Sequence, residues 1–226
     1  MLVRVAVPRR QDGGQRDRLW DFCRGFWDQW DVVEGHHEDG PFNRSAAINE
    51  AASGEWDLLV IADSDVVIDM EQVVNAISMA SERGCMVLPY SAGRRMMMPE
   101  EATLRALEEG FDEMTWLREA IPDPYAAHSS SVVVVRRDLW DRVGGFDERF
   151  VGWGGEDDAF AAACQCLGGR VRVAGEVWHL WHEPMKGRSR AEAGYLDNKR
   201  LAQRYMRAAR RPVDMMKILG ERGIVG

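Results

Sequence analysis

The chain has 226 residues, 46% apolar and 29% charged, which suits one large α/β domain with room for a real core. Its formal charge of −8 gives no general attraction for phosphate backbones or anionic membrane surfaces, so general nucleic-acid binding is not expected. No run is long and apolar enough to span a bilayer, and the first apolar stretch is too short for a signal peptide, so a cytoplasmic protein is expected.

Residues 3–7 read as a first strand, followed by Pro8-Arg9-Arg10. Residues 15–27 follow as a helix, with Leu19, Phe22, Cys23 and Phe26 on one face at three- and four-residue spacing. Val32 and Val33 mark a short strand, and residues 42–53 a helix stopped by Gly54. Leu58–Ala62 is a continuous apolar run, as a buried parallel strand requires. A helix over 69–83 ends at Gly84, and a strand covers 86–90. Pro99 occupies the first turn of a helix running to about Glu109, where Glu100 and Glu101 suit the N-terminal dipole. Residues 111–125 read as irregular or weakly helical. A strand over 131–136 leads into a helix over Arg137–Val143, closed by Gly144-Gly145. Glu156–Leu167 is a helix stopped by Gly168-Gly169. Residues 171–179 then read as a strand, 189–209 as a long helix and 213–220 as a short last one.

This alternation predicts an α/β fold in which helices flank a mostly parallel, Rossmann-like sheet. No linker, repeat or low-complexity tract divides the chain, so residues 1–226 read as a single domain, with 188–226 a C-terminal helical extension. Met96-Met97-Met98 reads as a loosely packed loop. Cys23, Cys85, Cys164 and Cys166 lack zinc spacing and read as buried free thiols.

Three stretches carry the chemistry. The strand at 58–62 runs into Asp63-Ser64-Asp65, and ligands of open α/β sheets bind outside the carboxyl ends of strands. Two acids so close repel unless a cation or donor hydrogen bonds offset them, so the pair reads as a divalent-metal and diphosphate site or as turn residues. In the second stretch Gly152-Trp153-Gly154-Gly155 precedes Glu156-Asp157-Asp158. Its glycines permit close backbone approach, Trp153 offers a flat face for a pyranose ring, and the acids open a helix. The third stretch, Val177-Trp178-His179-Leu180-Trp181-His182, places two imidazoles three residues apart.

Trp153-Gly154-Gly155-Glu156-Asp157-Asp158, preceded by Gly145-Phe146-Asp147-Glu148, resembles the signature of GT-A fold glycosyltransferases. The resemblance is to the β-1,4-galactosyltransferase, polypeptide N-acetylgalactosaminyltransferase and chondroitin-polymerase group. Val7-Pro8-Arg9, the helix Phe42-Asn43-Arg44-Ser45-Ala46-Ala47-Ile48-Asn49 and Asp63-Ser64-Asp65 match that group in the same order. The resemblance implies a metal-dependent transferase that moves a sugar from a nucleotide-sugar donor to the hydroxyl of an unidentified glycan or protein acceptor. Asp65 and His179 would hold a divalent ion, manganese before magnesium, with Asp63 and His182 as further candidate ligands. Arg44 would contact the donor nucleotide or its phosphates, Pro8, Arg9 and residues 34–39 would border the base and ribose, Asp63 would touch the ribose or a metal-bound water, and Ser64 would also bind substrate. Trp153, Gly154 and Gly155 would line the sugar and acceptor site. Glu156 and Asp157 would bind acceptor hydroxyls, Asp157 would be the general base, and Asp158 would either support the site or hold the donor sugar. An Asp at 157 favours inversion, since retaining relatives usually carry Asn there. Residues 186–190 read either as a basic loop closing over the diphosphate or as a solvated loop. Two rivals remain: a sugar-nucleotide nucleotidyltransferase, and a non-catalytic binding module of the same fold.

Overall fold

A computed structural model of the chain describes residues 1–110, 116, 119–123, 129–183 and 193–224. Nineteen segments organise them. In chain order these are β1 (Val3–Pro8), α1 (Gln15–Arg24) with a 3-10 turn (Gly25–Trp27), β2 (Asp31–Gly35), α2 (Arg44–Ala51), β3 (Leu58–Ala62) and β4 (Val66–Ile68). There follow α3 (Met70–Arg83), β5 (Met86–Leu88), β6 (Arg95–Met97), α4 (Glu100–Glu109), β7 (Ile121–Pro122) and β8 (Val132–Arg136). The chain ends with α5 (Arg137–Val143), α6 (Glu156–Leu167), β9 (Arg170–Arg172), β10 (Val177–His179), α7 (Ala193–Ala208) and α8 (Pro212–Gly220).

Six strands form the main sheet in the order β2-β1-β3-β8-β5-β9. β1 pairs in parallel with β2 and β3, and β5 with β9. β8 runs antiparallel to both of its neighbours. All five residues of β3 are buried, which is why its sequence is uninterrupted by polar groups. A second, smaller sheet has the order β4-β10-β6-β7. The chain passes from one sheet to the other through Asp63-Ser64-Asp65, between β3 and β4. The expected α/β architecture with a mostly parallel central sheet is therefore present.

Several elements differ from the sequence reading. The strand expected over 171–179 is two strands in two sheets. Gly175 breaks it at φ +139, where a side chain would meet Gln72. Gln72 bonds the backbone of Pro89 and Glu176 on either side of the crossing. The methionine stretch is no loose loop: β6 pairs with β10 and β7, and Met96 and Met98 are buried. Pro99 lies one residue outside α4, as its N-cap. The first helix tightens into a 3-10 turn after Arg24, and Trp20 joins Leu19 and Cys23 on its buried face. All four cysteines are free; Cys23, Cys85 and Cys164 are buried and Cys166 is partly so. The expected start of the long C-terminal helix and residues 186–190 lie outside the described residues. No described helix is long and apolar enough to cross a membrane.

The turn at 144–150 is locked in place. Asn49 of α2 donates to the Phe146 carbonyl (2.9 Å) and to Glu148 Oε1 (2.8 Å), and accepts from the Phe146 N–H (2.9 Å). Asn43 caps α2 by accepting from the Ala46 N–H, and its amide donates to the Glu148 carbonyl (2.8 Å). The Phe146 ring stacks on Phe160 of α6 at 4.2 Å, a contact contributing about 0.5–1.5 kcal/mol beyond its buried area. Asp147 is buried; Arg149 and the Tyr205 hydroxyl hold it, and despite burial its carboxyl stays below the ordinary value. The two asparagines of the α2 motif thus serve to orient α6, whose N-terminus carries the acids.

Candidate metal and catalytic site

Asp63-Ser64-Asp65 sits where the two sheets meet, and its two acids face different partners. Asp65 is 6% exposed. His182 Nε2 lies 3.1 Å from Asp65 Oδ2, and His179 Nε2 lies 3.6 Å from Oδ1. His179 arrives on β10, which pairs antiparallel with β4 so that His179 stands opposite Val66, next to Asp65. The Leu180 N–H donates to the Asp65 carbonyl (2.9 Å), turning the chain so that His182 returns to the same carboxylate. Asp65, His179 and His182 offer three ligand atoms within 4.8 Å of one another, the metal-ready cluster among the described residues. Burial alone would raise the Asp65 carboxyl, but His179, His182 and Arg16 together hold it well below the usual range. Burial pushes His179 down to about 4, so it is a neutral imidazole with a lone pair to offer.

Sequence reading did not anticipate Arg16. It stands in the first turn of α1, with Nη1 3.9 Å from Asp65 Oδ2 and Nη2 3.0 Å from His182 Nδ1. His182 Nδ1 also lies 2.9 Å from the Glu183 carbonyl. One tautomer accepts from Arg16 and aims its Nε2–H at Asp65; the other donates Nδ1–H to Glu183 and presents a bare Nε2 to a cation. One carboxylate and two imidazoles form a donor set suited to a first-row divalent ion. The signal for Arg16 was its place just after Gly13-Gly14, at the start of the helix following β1.

The second half of the site is a carboxylate cluster around one guanidinium. Arg44 Nη2 donates to Asp63 (2.6 Å), Nη1 donates to Asp157 (2.7 Å), and Glu156 lies 3.8 Å away. Burial would lower the Arg44 pKa, but Asp157, Asp63 and Glu156 together lift it well above its usual value. The other Asp63 oxygen accepts from the Ser131 N–H (3.1 Å). Ser131 has φ +71, the one described non-glycine residue with positive φ. Its hydroxyl is held by Arg95 (2.9 Å), which pairs with Asp123. Three acids share one cation, so negative charge is in excess. Burial pushes the Asp157 carboxyl up to about 8; Arg44 opposes the shift, and Glu156, Asp63 and Asp158 reinforce it. Burial also raises Glu156, whose Oε2 is buried with no hydrogen-bond partner.

The remaining predicted residues fall around these two clusters. Trp153 is 37% exposed at the mouth of the acidic loop, and Gly154 and Gly155 lead from it into α6. Asp158 is exposed and Ser64 half-buried. Pro8 is buried at the end of β1, paired with Gly35. Arg9 is committed to Asp17 and to Glu34 (3.0 Å), and Glu34 also accepts from Trp20 and Arg24 (2.9 Å each). Arg9 therefore shapes the end of β1 as part of an ion-pair network. Asp63 stands with Arg44, whereas both histidines stand with Asp65.

The family model described as the N-terminal domain of galactosyltransferase matches residues 118–182, under a third of the chain, including Asp157, His179 and His182. No curated protein sequence matches the chain. Among solved structures, the catalytic domain of Drosophila β1,4-galactosyltransferase 7 in complex with xylobiose is similar at 15% identity and a TM-score of 0.55, covering 87% of this chain and 79% of that one. TarS of S. aureus, in complex with UDP-GlcNAc, is similar at 13% identity and a TM-score of 0.58, covering 98% and 71%. The mannosyltransferase PcManGT of Pyrobaculum calidifontis, with GDP-Man and Mn2+, is similar at 15% identity and a TM-score of 0.50, covering 97% and 68%. These likenesses show that the chain has the GT-A fold, and over residues 118–182 it is similar to the galactosyltransferase family.

Proposed function

We propose that the chain transfers a hexose or N-acetylhexosamine from a nucleotide-sugar, UDP-linked in our reading, to the hydroxyl of a glycan or protein acceptor, with inversion. One observation carries this reading. The Asp63-Ser64-Asp65 turn joins two clusters of different chemistry, with Asp65 among the imidazoles and Asp63 on the Arg44 that also holds Asp157. A place for a diphosphate and a place for a proton acceptor thus share one turn.

Asp65, His179 and His182 would hold a divalent cation, manganese before magnesium, whose charge would stabilise the departing diphosphate. Arg16, beside both Asp65 and His182, adds a fixed positive charge for the same group. At the other cluster Asp157, ionised, takes the proton of the acceptor hydroxyl. The acceptor oxygen then bonds to the anomeric carbon as the bond from that carbon to the phosphate oxygen breaks. The nucleoside diphosphate leaves with the electron pair, and attack from the opposite face inverts the centre. The unpartnered Glu156 Oε2 suits a second acceptor hydroxyl, and the exposed Trp153 suits its ring face. Arg44 holds Asp157 and Asp63 in place between turnovers. Residues 1–226 act as one catalytic domain in this reading, working in the cytoplasm.

The nucleotidyltransferase alternative needs a phosphate-binding loop after β1. There the Asp12 carboxylate already accepts from the Gly14, Arg16 and Asp17 N–H groups (2.7, 3.3 and 3.4 Å) and caps α1. Those donors are used internally, which favours the transferase. The test is incubation of the protein with UDP- and GDP-sugars, with and without manganese. Release of nucleoside diphosphate without pyrophosphate is expected; pyrophosphate release would overturn the reading.

A further inference from the structure

The acidic loop is braced from outside by one face of α7. The Tyr195 ring stacks against Trp153, with centroids 5.2 Å apart and planes within 14°. Three residues on, Asn198 is 4% exposed, and its amide donates to the carbonyls of Val151 (3.0 Å) and Trp153 (3.3 Å). One turn further, Ala202 closes on Gly155. A Cβ on Gly155 would lie 3.0 Å from the Ala202 Cβ and 3.3 Å from the Asn198 carbonyl, on a backbone with φ +98. Tyr195, Asn198, Ala202 and Tyr205 follow one another at spacings of three or four, a single helix stripe. That stripe meets residues 147, 151, 153 and 155, the backbone that delivers Glu156 and Asp157.

An exposed indole on a glycine-rich loop has rotamer and backbone freedom that a packed one lacks. Here a second aromatic ring fixes the indole plane, and an amide with both donors engaged fixes the backbone on either side of Gly152. We infer that Tyr195 and Asn198 are positioning residues that set the affinity for a pyranose acceptor, by holding Trp153 and the 151–155 backbone in register with Asp157. The inference rests on the glycosyl-transfer reading above and adds α7 to the acceptor side of the site. It leaves the donor side untouched, because Asp65, His179, His182 and Arg16 make none of these contacts.

The experiment compares the wild type with Tyr195→Ala, Tyr195→Phe and Asn198→Ala. It uses a panel of p-nitrophenyl β-pyranosides as acceptors and the nucleotide-sugar that the wild type turns over. Tyr195→Ala is expected to raise the acceptor KM by about tenfold or more, with donor KM and acceptor-free donor hydrolysis unchanged. Tyr195→Phe keeps the stacked ring and restores the wild-type value. Amide hydrogen exchange across 151–155 is expected to quicken in Tyr195→Ala and Asn198→Ala, and not in Tyr195→Phe. Wild-type transfer with an unchanged acceptor KM in Tyr195→Ala, or unchanged exchange in both alanine variants, overturns the inference alone. A wild type that releases no nucleoside diphosphate from any donor removes the underlying reading, and the inference with it.

Discussion

Replacing Asp157 with Asn separates the catalytic role proposed for the carboxylate from what it costs the fold. In the folded protein burial and neighbouring charge raise this carboxyl from 3.8 to about 8. A group whose folded pKa is raised contributes its full stability below the unfolded value, and that contribution is lost as pH climbs through the folded one. Each unit of offset is about 1.4 kcal/mol, so ionising Asp157 above pH 8 costs the native state up to about 6 kcal/mol. Asn stands in for the neutral form and never incurs this cost. Arg44 stays with Asp63 and Glu156 in the variant, so a gain of at least about 2 kcal/mol is expected at pH 9, shrinking towards zero near pH 4. In a chain of this size that corresponds to about 4 °C or more in Tm. Urea denaturation of metal-free protein from pH 5 to 9 measures the stability, and nucleoside diphosphate release with acceptor measures the activity. The variant should lose transfer while becoming the more stable protein at high pH. A variant no more stable than wild type at pH 9 would refute the burial argument, and one with normal turnover would refute the base assignment.

If Asp157 is the base, the same ionisation should make acceptor kcat/KM rise with pH through about 8, because a base works only when deprotonated; a profile flat from pH 6 to 9 would contradict this. Arg44→Met strands three carboxylates that are each less than a quarter exposed. It should cost about 3–5 kcal/mol at pH 7.5, and less at pH 5 as the acids take up protons; a urea midpoint unchanged at both pH values would count against it. Asn49→Ala removes the clamp on Phe146 and Glu148 and should cost about 1–3 kcal/mol. It should lower kcat while sparing metal-dependent donor binding, and an unchanged urea midpoint would show that the 144–150 turn holds itself.

Much of this is legible in the sequence alone. The apolar run at 58–62 with two acids at its end announced a buried strand delivering ligands, because five successive buried positions admit no polar residue. The helices over Arg137–Val143 and Glu156–Leu167 fell where expected, because glycines stop both. What local pattern does not contain is the partner across the fold. The run from 171 to 179 looks like one strand, because a change of sheet at Gly175 is decided by Gln72, a hundred residues away in sequence. Met96 and Met98 look like a loose loop until β10 pairs beside them. Arg44 resembled a nucleotide contact, and only the tertiary arrangement places it between Asp63 and Asp157. Arg16 carries only the weak signal of its place after Gly13-Gly14, and Tyr195 none of its own; both gain meaning from what their helix faces meet.

Manganese binding in the presence of UDP is the most direct test of the proposed cation site, on which donor binding would depend. Calorimetry of UDP into protein with and without manganese should show uptake that needs the ion, lost in Asp65→Ala and in His182→Ala and retained in Asp157→Asn. Wild-type affinity in Asp65→Ala, or UDP binding indifferent to manganese, would mean that Asp65 and its two histidines do not hold the metal.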